Sequence, residues 1–289
     1  MKYLFFILPL LLLFISCDSA QKKNNSQTQD IIFLQKDKEI LGELFEILFN
    51  ESSSIPALMI KVGTFFKETP YVASTLEVNP EEEKLVINLR EMDCTTFAEY
   101  CLSIARTIKK GKPTFEKFSR ELQQIRYRDG KIEGYPSRLH YFSDWIYNND
   151  QKKMVKDISE EISHIPYPLK VSFMSTHPES YIQLKDSTLI PIIAQQEKEI
   201  CTRNMFYIPE NRISEFEYKF MDGDIAGITT NINGLDIVHV VILVRQSGQI
   251  HLLHASSAAG KVIVSEETLE EYLLNNKRAT GIILARPIN

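Results

Sequence analysis

The period of the apolar residues changes once along this 289-residue chain, and that change constrains its fold more than any other feature. Before about residue 150, apolar side chains recur mainly at helical spacing. From Asp222 onward they fall in short β-branched or alternating runs divided by turn residues. Helices first and strands afterwards predict an α+β fold, not an alternating doubly wound sheet. No internal repeat is visible.

In the helical half, Ile40, Leu41, Leu44, Phe45 and Leu48 mark a helix over 37–51. Ser53 or Ser54 caps a second, with Pro56 in its first turn. Gly63-Thr64 and Pro70-Tyr71 then break the chain into an extended segment, and 85–89 alternates like a short strand. The best-marked element is a helix over 94–109. Phe97, Cys101, Ile104, Ala105 and Ile108 form its apolar stripe, and Gly111 with Pro113 stop it. Amphipathic helices follow over 114–124 and 137–148, the second carrying Arg138, His140, Tyr141 and Trp145. Residues 157–217 lack a strong period and read as part of an insertion. Strands are expected from Gly223-Asp224-Ile225 and over 237–245, 249–254, 261–265 and 281–285. Gln246-Ser247-Gly248 turns a hairpin, and a helix covers 266–275.

Lys2 and the apolar run 3–15 form an export signal too short for a typical spanning helix. Ser16-Cys17-Asp18 resembles a bacterial lipobox, so residues 1–16 are expected to be removed and Cys17 to carry lipid. A polar tether, 17–35, then leads to one domain over 36–289, with 113–217 as an insertion shaping the substrate site. The expected location is exported: periplasm-facing or outer-membrane anchored, touching the membrane through the lipid. A formal net charge of −5 without a dominant basic run argues against nucleic acid. Of the four cysteines, removing Cys17 leaves three, which is no disulfide framework. Cys101 reads as core filler, Cys201 carries no signal, and Cys94 stands out.

Cys94 follows Asp93 at the expected start of a helix, where unpaired backbone N–H groups and the macrodipole favour thiolate. Asp93 can cap that helix. A thiol nucleophile needs a base. His239 lies in the run Val238-His239-Val240-Val241-Ile242, where a lone histidine is usually a hydrogen-bonded core residue. On the next strand, Ile250, Leu252 and His254 share one face and His251 the other. With His254 beside His239, one imidazole can orient the other, while His251 is structural.

Pro70-Tyr71, Asp93-Cys94, Gly223-Asp224-Ile225, His239-Val240 and His254-Ala255-Ser256 together resemble, in order, the NlpC-type papain-like peptidoglycan hydrolases. Thr95-Thr96 stands where Ser-Gly is usual, and Val241 where glycine is usual. Those departures, with Ile125-Arg126-Tyr127-Arg128-Asp129-Gly130, Ser137-Arg138-Leu139-His140-Tyr141, Trp145 and the terminal 281–287, resemble the N-acetylmuramoyl-L-alanine amidase-like family. The resemblance implies a papain-like fold with the nucleophile helix packed on an antiparallel sheet. It also implies cleavage of the lactyl–L-alanine amide of muropeptides through a thioester, by a monomer needing no cofactor or metal. Cys94, His239 and His254 would be catalytic, with Tyr71, Asp93 and Thr95 at the oxyanion or substrate. Arg126, Arg128, Arg138 and His140 would meet stem carboxylates or the sugar, since guanidinium forks suit carboxylates, and Tyr141 or Trp145 would stack on the sugar. An equally plain reading has pairs such as Arg128 and Asp129 tying the insertion together. Three rivals stay open: a γ-D-glutamyl-diamino-acid endopeptidase with the same triad, a zinc amidase using His239, His251, His254 and an acid, and a lipid-anchored murein-binding protein without turnover.

Overall fold

The computed structural model describes Met1 and residues 31–289; the signal segment, Cys17 and most of the tether lie outside the described residues. Five helices precede most of the sheet: α1 (Gln35–Ile47), α2 (Ile55–Phe65), α3 (Cys94–Lys109), α4 (Phe115–Arg126) and α5 (Phe142–Gln151). The strands are β1 (Val155–Asp157), β2 (Ile208–Pro209), β3 (Ile225–Thr230), β4 (Ile237–Gln246), β5 (Gln249–Ser256), β6 (Lys261–Thr268) and β7 (Ala279–Pro287). They form one sheet in the order β1-β7-β3-β4-β5-β6, with β2 also on β7, and all these pairings are antiparallel. Helices first, antiparallel sheet second: the α+β expectation holds.

Side-chain alternation gives the sheet two covered faces. Val240, Ile242, Leu253 and Ala255 join Phe97, Cys101 and Ile104 of α3 in the main core. Val241, Leu243, Ile250 and Leu252 point the other way and join Leu269 and Leu273 of the helix Leu269–Asn275. Helix α3 is buried on nearly every side, which makes it a core element, not a surface amphipath. Each fully buried large apolar side chain on it contributes roughly 1.5–3 kcal/mol. The insertion has its own small core, where Tyr141 and Met174 meet Leu184, Ile193 and Ile200.

Two expected elements differ. Residues 85–89 are not a strand: Val86 alone makes a parallel bridge, to Ile32. The neighbouring backbone is claimed by side chains instead, Asn88 N–H donating to Tyr100 Oη at 2.9 Å and Leu89 N–H to Asp37 Oδ1 at 2.8 Å. The helix expected over 137–148 begins only at Phe142. Before it, Tyr135–Ser137 is a 3₁₀ turn and Arg138 is extended, bridging Tyr127. The start of α5 is set from far away, by Asp236 Oδ2 accepting Ser143 N–H at 2.7 Å. Gly227 of β3 lets α5 close on the sheet, since a Cβ there would lie 2.4 Å from the Phe142 ring.

Candidate active site

Helix α3 starts at Cys94 because Asp93 caps it. Asp93 Oδ1 accepts Thr96 N–H at 2.8 Å, and Thr96 Oγ1 accepts Asp93 N–H at 3.0 Å. The thiol therefore stands on the first turn of a helix fixed by its neighbours.

The strands supply the imidazoles. Strands β4 and β5 are paired from Gln246/Gln249 to Ile242/Leu253, and no pairing continues beyond. Past that point β4 stays on β3 and β5 stays on β6. His239 and His254 project from this divergent end, and His239 Nε2 lies 2.6 Å from His254 Nδ1. Both rings are buried, at 8% and 3% exposure, and the Tyr272 ring packs against both. A contact of that length needs one proton between the nitrogens. It leaves Nδ1 as the ring nitrogen of His239 still free to exchange a proton.

Cys94 and His239 line one cavity of about 220 Å³, whose wall includes Phe142, Trp145, Asp236 and Ile237. A second lobe, also about 220 Å³, holds Asp93, Arg126 and Arg138; Thr95, Leu139, His140 and Tyr181 line both.

Electrostatics depart from the expectation of a helix-stabilised thiolate. Burial, followed by the Asp93 carboxylate, pushes the Cys94 thiol up to about 12, against hydrogen bonds from Val240 N–H and Thr95 that favour the anion. Burial pulls His239 down to about 3, with His254 adding to it, and burial pulls His254 down to about 4. The free site therefore rests as a neutral thiol beside neutral imidazoles. Desolvation is the largest influence on the thiol.

Several expected substrate contacts are already spoken for. Arg126, 1% exposed, pairs with Glu99 at 2.7 Å and donates to Val86 O at 2.6 Å. Arg138 pairs with Glu77 and, at 3.5 Å, with Glu83. His140 Nε2 bonds Tyr135 O at 3.0 Å, and burial holds its ring neutral, down to about 3. Tyr141 Oη donates to Glu197 at 2.6 Å. One face of Trp145 is covered by Phe142, stacked at 5.2 Å and 10°. Arg128 pairs with Asp144, not with its neighbour Asp129, and Arg203 shares that carboxylate. Tyr71 is half-buried, and its hydroxyl is raised by burial and then by Cys94 and Asp93, which puts it in their electrostatic reach. His251 Nδ1 bonds Ser265 O at 3.1 Å, apart from the other imidazoles. Among the described residues no three His, Cys, Asp or Glu side chains are grouped to hold a metal ion. Cys94, Cys101 and Cys201 are free thiols.

Two residues of the site carried no signal in the sequence. Asp236, buried in the cavity wall, ties the start of α5 to the start of β4 through Ser143 N–H and its own neighbour Ile237 N–H at 2.9 Å. Tyr272 comes from a helix that the apolar spacing did mark, but its target 33 residues back on the chain could not be read locally.

Comparison with known proteins agrees with this architecture. An N-acetylmuramoyl-L-alanine amidase from Bacteroides uniformis is 38% identical, covering 82% of this chain and 100% of its own, with a TM-score of 0.78. A Bacteroides fragilis protein provisionally named a xylanase is 43% identical over 78% of this chain and 99% of its own, with a TM-score of 0.74. A Legionella pneumophila protein at 21% identity shares the fold alone, covering 88% of this chain and 95% of its own, with a TM-score of 0.67. Comparison with curated proteins gave no match. Residues 61–282 match the family described as AmiA-like, N-acetylmuramoyl-L-alanine amidase-like. The chain belongs to the N-acetylmuramoyl-L-alanine amidase-like family.

Proposed function

We propose that this protein is a cysteine-dependent N-acetylmuramoyl-L-alanine amidase acting on peptidoglycan fragments, with the papain-like arrangement that its motifs resemble. One observation carries the reading: the capped Cys94 shares a cavity with His239, whose Nε2 is held by His254. For His239 to act as base through Nδ1, its neutral ring must carry the proton on Nε2 and donate it to the Nδ1 lone pair of His254. That orients the base and stabilises the imidazolium formed later.

The neutral resting pair favours proton transfer during attack over a preformed ion pair. The Cys94 proton passes to His239 Nδ1 as sulfur bonds to the muramoyl carbonyl carbon. The oxyanion is met by Cys94 N–H, with the Tyr71 hydroxyl as a second donor; one such donor is typically worth about 10²–10³ in rate. The C–N bond then breaks and His239 returns its proton to the departing L-alanine amine, leaving a thioester. Water, deprotonated by His239, releases the acyl group and the thiol is restored. Export and lipidation at Cys17 belong to the same reading.

A xylanase needs a pair of carboxylates about the scissile bond. Among the described residues the one carboxylate lining the Cys94 lobe is Asp236, already bonded to Ser143 and Ile237. Nothing in that lobe favours glycoside hydrolysis.

Incubation with defined muropeptides tests the proposal. The expected products are free muramoyl sugar and an intact stem peptide beginning at L-alanine, identified by mass spectrometry. Cleavage between D-glutamate and the diamino acid instead would replace the amidase reading with the endopeptidase one. Binding without any hydrolysis would leave a murein-binding protein.

A further inference from the structure

His239 and His254 meet where the sheet no longer holds their strands together. The β4–β5 pairing ends at Ile242 and Leu253, short of both residues. Beyond it, His239 lies opposite Ile228 of β3 and His254 opposite Ile263 of β6. Two strands that have parted therefore carry a 2.6 Å hydrogen bond between their side chains. One such bond sets the separation of the rings but not the turn of one ring about the other.

A third ring sets that turn. Tyr272 is stacked on His239, with centroids 6.3 Å apart at 28°, and meets His254 edge to face at 6.2 Å and 85°. The imidazoles themselves stand 4.9 Å apart at 74°. All three separations lie in the range over which aromatic rings attract, in stacked or edge-to-face arrangements. Tyr272 belongs to neither strand. Leu269, Tyr272 and Leu273 share one face of the helix Leu269–Asn275. The two leucines, each 1% exposed, anchor that face in the core beneath the sheet. Thr268 locks the start of the helix, its N–H donating to Glu271 Oε2 at 2.8 Å and its Oγ1 accepting Glu271 N–H at 3.2 Å. The ring is thus held by a fixed platform. It is itself half-buried, and it covers imidazoles that are buried.

No charged group shares this task. Among the described residues neither imidazole is bonded to a carboxylate. Asp236, at the head of β4, is bonded to Ser143 and Ile237, and Asp93 caps α3. His251 of β5 turns to Ser265 O. Cys94 and, from the end of β6, Glu267 bear on the Tyr272 hydroxyl, which burial raises first. We propose that Tyr272 is a positioning residue for the base: its ring wedges the His239–His254 pair at one mutual angle, so that His239 Nδ1 faces the thiol, and closes the pair to water on that side. The inference rests on the reading of Cys94 and His239 as nucleophile and base.

Two variants of the full chain test it. Tyr272→Leu removes the flat ring and keeps an apolar anchor, while Tyr272→Phe keeps the ring. On a defined muropeptide, Tyr272→Leu should lower kcat about 10²-fold with KM nearly unchanged, the scale of misplacing a reacting group by about 1 Å. Tyr272→Phe should recover most of that loss. The rings are read separately, by NMR titration of histidine-labelled protein assigned with His239→Gln and His254→Gln. With Tyr272 in place neither ring should titrate above about pH 5, whereas in Tyr272→Leu the His239 value should rise toward the free value of about 6.5. The base works neutral, so the acid limb of kcat/KM should move to higher pH with it. Tyr272→Met serves the same purpose if the leucine variant does not fold. An unmoved kcat, an unmoved titration, or Tyr272→Phe as slow as Tyr272→Leu would each overturn the proposal. If the unmodified protein turns over no muropeptide while Tyr272→Leu still shifts the titration, the nucleophile–base reading fails and the wedge stands.

Discussion

Cys94→Ala should lower kcat/KM for release of the stem peptide by about 10⁴-fold or more, the scale of losing a covalent nucleophile, while leaving the fold intact. The two halves of that expectation have separate causes. Activity falls because among the described residues no other thiol lines the Cys94 cavity, Cys101 lying at 0% exposure in the core and Cys201 outside the cavity wall. Stability holds because the turn that presents the sulfur is fastened by other residues. Asp93 accepts the Thr96 N–H and Thr96 accepts the Asp93 N–H, and the buried stripe from Phe97 to Ile108 anchors the helix. Removal of one sulfur from a half-buried position should move Tm by only a few degrees. Kinetics on a defined muropeptide, paired with a thermal melt, check both. Undiminished turnover, especially turnover abolished by a chelator, would shift the chemistry to the zinc alternative. Turnover lost together with the fold would mean that the residue is structural.

What was legible in the sequence was local. The cap at Asp93, the stop after Lys109, the hairpin at Gln246-Ser247-Gly248 and the common face of His254 with Leu252 all depend on residues a few positions apart. What was not legible depended on the interior. Strands β1 and β2 have only three and two residues, too short to show a period, and they exist because β7 is there to pair with them. Leu85, Val86, Ile87 and Leu89 are as apolar as a strand, yet Tyr100 and Asp37 take two of their segment's backbone donors. Residue type marked Arg126 and Arg138 as carboxylate binders, whereas Glu99, Glu77 and Glu83 fill that role from within the protein. At Cys94 the helix N-terminus was visible and the desolvation opposing it was not. The sign of a pKa shift belongs to the packed molecule.

That same desolvation has a consequence for folding. Lowering the pH from 7 to 5 should destabilise the protein by about 4 kcal/mol through His239 and His254 alone. An unfolded histidine protonates near 6.5, whereas the folded rings resist protonation until about 3 and about 4. Burial is the main cause in both, and protonating both rings would put a second proton between His239 Nε2 and His254 Nδ1 and break their hydrogen bond. Below 6.5 the unfolded state binds more protons than the folded one, so stability falls as pH falls, down to the folded values. At pH 5 the gap is about 1.5 units, or roughly 2 kcal/mol per ring. His140, held down to about 3 by its own burial, pulls in the same direction. A His239→Gln, His254→Gln double variant keeps His140, so its difference from the unmodified protein isolates the pair. Urea unfolding at pH 7, 6 and 5 should show the unmodified chain losing stability steeply and the double variant much less. Parallel losses in the two proteins would mean that these imidazoles titrate as they do in water. The buried neutral pair from which His239 is argued to work as a base would then be excluded.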